Sequence, residues 1–343
     1  MSVVEQKPAS TDSVIDRTNL EASGLAYRFT WHRLRESIIQ MLLFLCALLS
    51  VLTTLAIIFV LVSEAIFGIP PERAFFQEIS LSQFFLETRW APQYSPPFFG
   101  IWPLICGTFL ITIIAAIIGL PTGLLAAVYL AEYASPRVRS IAKPILELLA
   151  GVPTVVYGYF GLRIVTPYVI RPILKPAEFF GVDWLWSIPV DGFNALSGGI
   201  VVGLMIIPTV CSLSEDVLRA VPRTLREAGY ALGSTKYDVC VRVVIPSALS
   251  GIIAAFLLAI SRAVGETMAV TIAAGQKPTL TLNPLSQIET MTAYVVNVMS
   301  GDTPVGTIEY KSLYAVALVL FLTTLTMNLI SQLVLARYRE VYQ

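Results

Sequence analysis

Residues 219–246 read RAVPRTLREAGYALGSTKYDVCVRVVIP. Pro222 is placed to open a helix, and Leu225, Ala228, Gly229 and Leu232 then recur at helical spacing on one face. Gly233 stops that helix, Ser234 or Thr235 is available to cap the next, and Asp238 completes a T-x-x-D box with Thr235. The spacing therefore predicts a helix, a glycine and a second helix. The small residues Ala228 and Gly229 would let another backbone approach closely, with Glu227 beside them as a hydrogen-bonding charge. A basic amphipathic loop resting on a membrane surface satisfies the same pattern.

The sequence around this elbow is built for lipid. Of 343 residues 56% are hydrophobic and only 13% charged, about half the charge of a soluble domain. The 23 basic and 23 acidic residues balance, so no global basic field points to nucleic acid as a partner. The four cysteines, Cys46, Cys106, Cys211 and Cys240, have no C-x-x-C spacing, and the single histidine, His32, excludes His-based triads and most zinc sites. No G-x-x-x-x-G-K-[ST] motif is present, so any ATP that drives this chain is bound by another subunit.

A spanning helix needs about 20 mostly apolar residues. Six segments qualify, at 38–67, 99–131, 144–168, 197–217, 247–275 and 311–336, with Pro121 marking a bend in the second. Residues 1–35 read as a cytosolic tail, 36–98 as the first span with an outer amphipathic segment, 99–337 as a core of five spans containing the elbow at 218–246, and 338–343 as a cytosolic tail. Placing both termini in the cytosol puts 15 basic residues inside and 7 outside, with Arg262 left within a span. The fold expected is an all-α membrane protein with six transmembrane helices, N-in and C-in. The outer stretches PPERAFFQEISLSQFFLETRWAPQYSPPFFG and KPAEFFGVDWLWSIPVDGF are rich in aromatics, as an aromatic belt at the headgroups or a docking surface for an external partner would be.

Glu227-Ala228-Gly229, three residues, Gly233, nine residues, then Val243-Val244-Ile245-Pro246 resembles the EAA loop of ABC importer permeases, with Gly229 in place of the third-position alanine. GVPTVVYGYFGL at 151–162, AAVYLAEYASPRVR at 126–139, EAGYALGSTKYDV at 227–239 and GETMAVTIAAGQ at 265–276 are similar to PstC-type permease subunits of phosphate importers, from about residue 100 to the C-terminus. The resemblance implies the type I ABC importer permease fold (MetI-like) in the inner membrane. It also implies a PstA-like permease partner, two copies of a PstB-like ATPase carrying ATP and Mg, and a PstS-like phosphate-binding protein, with no cofactor on this chain. Glu227, Ala228, Gly229, Gly233 and Pro246 would then couple to the ATPase.

SRAVGETMAVTIAAG at 261–275 places two charges within an apolar run. On a continuous helix Arg262 and Glu266 are four apart and share a face. A charge near the bilayer centre costs about 2.5–3.5 kcal/mol on insertion scales, so both should turn toward the bundle interior or a wet cavity. Two roles fit: an ion pair that holds the helices in register, or an anion station in which the Arg262 fork binds phosphate oxygens while Glu266 neutralises it between turnovers. Thr267, with Ser261 and Thr271, adds hydroxyls that can serve the pathway or their own backbone. Gly151, Pro153, Gly158 and Gly161 suit a gate or close helix packing, and Lys143 with Glu147 suits a surface pair. A proton-coupled anion carrier using Glu266, a membrane scaffold, and an importer of sulfate, molybdate or phosphonate are the competing functions.

Overall fold

Lipid leaves every backbone polar group to be satisfied within the chain, so long apolar runs become helices. The computed structural model describes residues 31–68, 73–175 and 189–338. Four helices are long and apolar enough to cross a membrane: Arg35–Phe67, Trp102–Tyr133, Ala195–Ala220 and Ile308–Leu333. Two bent pairs, Pro136–Ala150 with Thr154–Leu174 and Lys236–Ser247 with Leu249–Val264, raise the number to six if each is one span.

The chain divides into Met1–Ile58 and Phe59–Gln343. The described part of the first unit belongs to helix α1 (Trp31–Val62), on which the leucines, isoleucines and phenylalanines from Ile38 to Ile57 are exposed as a lipid-facing surface requires.

The second unit is organised on α4 (Trp102–Val128) and α7 (Ala195–Ala220). Glycines let their backbones approach: a Cβ on Gly119 would stand 2.5 Å from Ile206 Cγ1, and one on Gly199 2.5 Å from Ile114 Cβ. Pro121 lies inside α4, and Pro208 inside α7.

On the outer side, α2 (Phe75–Glu78), α3 (Leu81–Leu86) and a two-residue antiparallel ladder, β1 (Trp90–Ala91) with β2 (Phe98–Phe99), form a small cap. Phe75, Phe84, Trp90 and Phe99 are buried there, their rings packed edge to face with centroids 5.3–6.2 Å apart. Three of the six aromatics in 68–97, Phe75, Phe84 and Trp90, therefore form the cap's own core, while Phe85 and Tyr94 stay exposed. The second aromatic stretch lies mostly outside the described residues.

Helix α5 (Pro136–Ala150) and the segment from α6 (Thr154–Phe160) to Leu174 meet at 90°. The expected span 144–168 is therefore broken in the middle. Gly151 ends α5 and Pro153 forces the preceding residue out of the helical region, which no apolar count reveals. Gly158 and Gly161 are contact points: a Cβ on Gly158 would stand 2.9 Å from the Ala269 carbonyl, and one on Gly161 2.7 Å from Val201 Cγ2. The elbow is made of α8 (Arg223–Ala231) and α9 (Lys236–Val239), and beyond it come α10 (Leu249–Val264), α11 (Met268–Ala274), α12 (Met291–Ser300) and α13 (Ile308–Tyr338).

Candidate coupling and translocation sites

The elbow folds as its sequence predicts. Pro222 precedes α8, and Gly233 turns the chain at φ +80°, its N–H donating to the Tyr230 carbonyl at 2.9 Å and that of Ser234 to Gly229 at 3.2 Å. Thr235 accepts from the Asp238 N–H at 3.2 Å and donates to its carboxylate at 2.5 Å. Glu227, Ala228 and Gly233 are exposed, and Leu232, at 87% exposure, leaves an apolar knob beside them. Pro246 is exposed just before the 69° bend that leads into α10.

Gly229 differs from expectation. It is buried, and a Cβ there would stand 2.9 Å from Val239 Cγ2. Its smallness serves the packing of the elbow's two helices on each other, not the approach of another protein.

One charge cluster fixes this elbow to the membrane helices, and a second ties α5 to α7 behind it. Arg226 Nη2 donates to the Leu218 carbonyl at 2.8 Å and pairs with Glu132 at 3.0 Å, while Nη1 donates to the Val221 carbonyl at 2.7 Å. One guanidinium thus satisfies carbonyls at the C-terminus of α7 and reaches the end of the α4 span. Behind it Glu215, 1% exposed on α7, meets Arg139 at 2.5 Å, Lys143 at 3.1 Å and Arg219 at 3.6 Å. Lys143 also reaches Asp216 at 2.8 Å, so its partners are on α7 rather than the expected Glu147. The sequence reading missed Glu132, Glu215 and Arg226; the i, i+4 spacing of Glu215 and Arg219 was the available signal.

Nor do Arg262 and Glu266 share a helical face. α10 ends at Val264, Gly265 follows, and α11 starts only at Met268. Glu266 Oε1 instead accepts from the Ala269 N–H at 3.2 Å, capping α11, and the Glu266 carbonyl accepts from Thr292 Oγ1 at 2.8 Å. Arg262 is exposed on the last turn of α10, within electrostatic reach of the Tyr157 hydroxyl, and has no ion-pair partner among the described residues. The hydroxyls of Thr267 and Thr271 donate to their own backbone, to Gly265 at 3.2 Å and Thr267 at 2.7 Å, and Ser261 donates to Asn328 on α13 at 3.0 Å. The break therefore joins three elements: α10, α11 and the start of α12.

Between α11 and α12, outside the spans, Glu289 is 2% exposed. Burial pushes its carboxyl up to about 8, against a weak opposing bond from Asn297 Nδ2 at 3.4 Å.

Residues 119–340 match the family described as binding-protein-dependent transport system inner membrane component. The chain belongs to this family. It is 32% identical over 282 residues to a probable ABC transporter permease protein, YqgH, of Bacillus subtilis (strain 168), covering 82% of this chain and 84% of that one. It is 34% identical over 262 residues to the phosphate transport system permease protein PstC of Xylella fastidiosa strain Temecula1, covering 74% and 78%. A solved bacterial ABC transporter that imports the acidic polysaccharide alginate superposes with a TM-score of 0.61 at 12% identity, over 90% of this chain and 99% of that one, and so shares the fold.

This chain is thus a multi-pass inner-membrane ABC importer permease, a non-catalytic subunit with the fold of that alginate importer's chain. That assignment sets aside the proton-coupled carrier and the scaffold. Importer permeases of this kind work with ATPase and substrate-binding partners.

Proposed function

We propose that this permease carries inorganic phosphate into the cytosol, and that Arg262 contacts the anion on its way. One observation carries the reading: an arginine one turn before a helix break, exposed and without a carboxylate within ion-pair distance among the described residues. A cation held inside a span without a paired carboxylate favours an anionic guest, because a charged group at that depth is costly unless something polar meets it. Arginine offers phosphate oxygens two parallel hydrogen bonds and keeps its charge at any accessible pH. The PstC relatives support phosphate as the anion.

Glu266 acts on this site indirectly, by capping α11 and fixing the shape of the break, and Thr267 forms the break itself. A PstA-like subunit faces the same pathway. Two PstB-like ATPases, holding ATP and Mg, receive the elbow at Glu227, Ala228, Gly233 and Pro246, with Gly229 shaping it from within. A PstS-like protein delivers phosphate from outside.

The test is ATP-dependent uptake of radiolabelled phosphate by the reconstituted complex, native against Arg262→Gln, at equal assembly. Loss of uptake with retained assembly supports the role of Arg262. Unchanged uptake removes it from the pathway, and uptake of sulfate but not phosphate by the native complex overturns the choice of anion.

A further inference from the structure

A second group of arginines lies on the cytosolic side, on elements other than the α10 that carries Arg262. A cleft of about 490 Å³ opens where the end of the α4 span, the start of α5, the end of α7 and α8 come together. Arg139, Arg219, Arg223 and Arg226 line it with Glu132 and Glu227, four positive charges against two negative, a net of +2.

The charges are not all spent on each other. Arg226 and Glu132 satisfy one another. Glu215, behind the wall, draws on Arg139 and more loosely on Arg219, and shares Lys143 with Asp216. Arg223 has no ion-pair partner among the described residues, and Arg139, although it stands beside Glu215, leaves its Nε buried without a hydrogen-bond partner, as Glu215 leaves its Oε1. Ala134 and Pro136 bring the start of the 15-residue helix α5 to the rim, adding its positive dipole end, whereas the negative end of α7 is already covered by Arg226.

We infer that this cleft binds a phosphate-type oxyanion, either free phosphate or the phosphodiester of an anionic lipid, held between Arg223 on the elbow and Arg139 and Arg219 on the bundle. Such an anion carries about one to two negative charges, and the lining still holds an excess of about one positive charge once Glu215 is set against Arg139. Guanidinium forks, here on three separate elements, are the donor set that planar, bidentate oxyanion recognition uses. Because its donors lie on both sides of the elbow's joint, the bound anion ties α8 to α5 and α7. The site is separate from the pathway, so it stands whichever solute the permease carries.

The experiment uses the intact transporter, purified through this chain and carrying Arg262→Gln so that pathway binding does not contribute. Binding of radiolabelled inorganic phosphate is measured in lipid-free detergent without ATP. Retention of phosphatidylglycerol over phosphatidylcholine is measured in phosphate-free mixed nanodiscs. We expect one probe to be held saturably and Arg219→Gln with Arg223→Gln to weaken it by about tenfold or more, the effect of losing a charge-assisted hydrogen bond. The probe that responds identifies the source of the anion. If the double glutamine variant fails to assemble, Arg219→Lys with Arg223→Lys keeps the charge but not the forks, and binding should still fall. Neither probe held, or equal binding by native and variant chains, overturns the site.

Discussion

Arg139 on α5 stands 2.5 Å from Glu215 on α7, and the carboxylate it meets is 1% exposed. α5 buries no side chain completely, so this pair and the adjacent Lys143 give it a fixed point on the helix that leads into the elbow. The relationship places a rigid strut directly behind the coupling segment.

Removing one member of a buried pair typically costs about 3–5 kcal/mol, because the other is left uncompensated. Here the cations are more than a quarter exposed and can rehydrate, so Glu215→Ala is expected to cost about 2–3 kcal/mol. Thermal unfolding of the detergent-solubilised chain measures it. A cycle with Arg139→Gln should be markedly non-additive. Additive losses would mean that the two side chains do not depend on each other.

What local chemistry determines is legible in the sequence, and what long-range packing determines is not. Pro222, Gly233 and the Thr235–Asp238 box announced the elbow because turns and caps are encoded within a few residues. The breaks at Gly151–Pro153 and Gly265 were absorbed into continuous spans, since an apolar count does not register where lipid-facing helices bend. Arg262 and Glu266 stand out in the sequence as charges within an apolar run, but a shared face requires a helix that stops between them. Glu215 and Arg226 went unnoticed because their partners lie far away in sequence, at Arg139, Lys143 and Glu132.

Gly107, on the outer half of α4, lies against the Glu289 carbonyl, which any Cβ added at that glycine would overlap. Alanine gains about 1 kcal/mol in helix propensity, but overpacking against a backbone atom that cannot swing away costs about 1–3 kcal/mol. The clash wins. We expect Gly107→Ala to be net destabilising and to loosen residues 281–291, read as faster amide exchange there. Unchanged exchange together with a raised melting temperature would show that the loop yields freely.

Glu289 makes a pH-dependent contribution of definite sign. Its carboxyl is raised in the folded chain from 4.5 to about 8, so between those values the folded state holds more protons than the unfolded one. Stability is therefore full below about pH 4.5 and declines as pH rises toward 8. Glu289→Gln keeps the shape without the ionisation, and its melting temperature should vary less with pH over that window than that of the native chain. Parallel profiles for the two proteins would show that Glu289 ionises normally.

Arg226 offers the sharpest separation of coupling from folding. Its three polar contacts run from α8 to the end of α7 and to Glu132 beyond α4, so a force on the elbow passes through this guanidinium to two spans. Lysine keeps the charge and can hold Glu132, but a single ammonium cannot take the fork's place across the Leu218 and Val221 carbonyls. With charge-assisted bonds worth about 1.5–3 kcal/mol each, losing one weakens the joint by roughly tenfold or more without unfolding the chain. We therefore expect Arg226→Lys to assemble and hydrolyse ATP in the reconstituted complex while uptake per ATP falls by about tenfold. Arg226→Ala goes further, because it also leaves the nearly buried Glu132, 8% exposed, without its cation. Proportional loss of ATP hydrolysis and uptake in Arg226→Lys would instead make this arginine an assembly residue, with motion entering the bundle through the strut at Glu215.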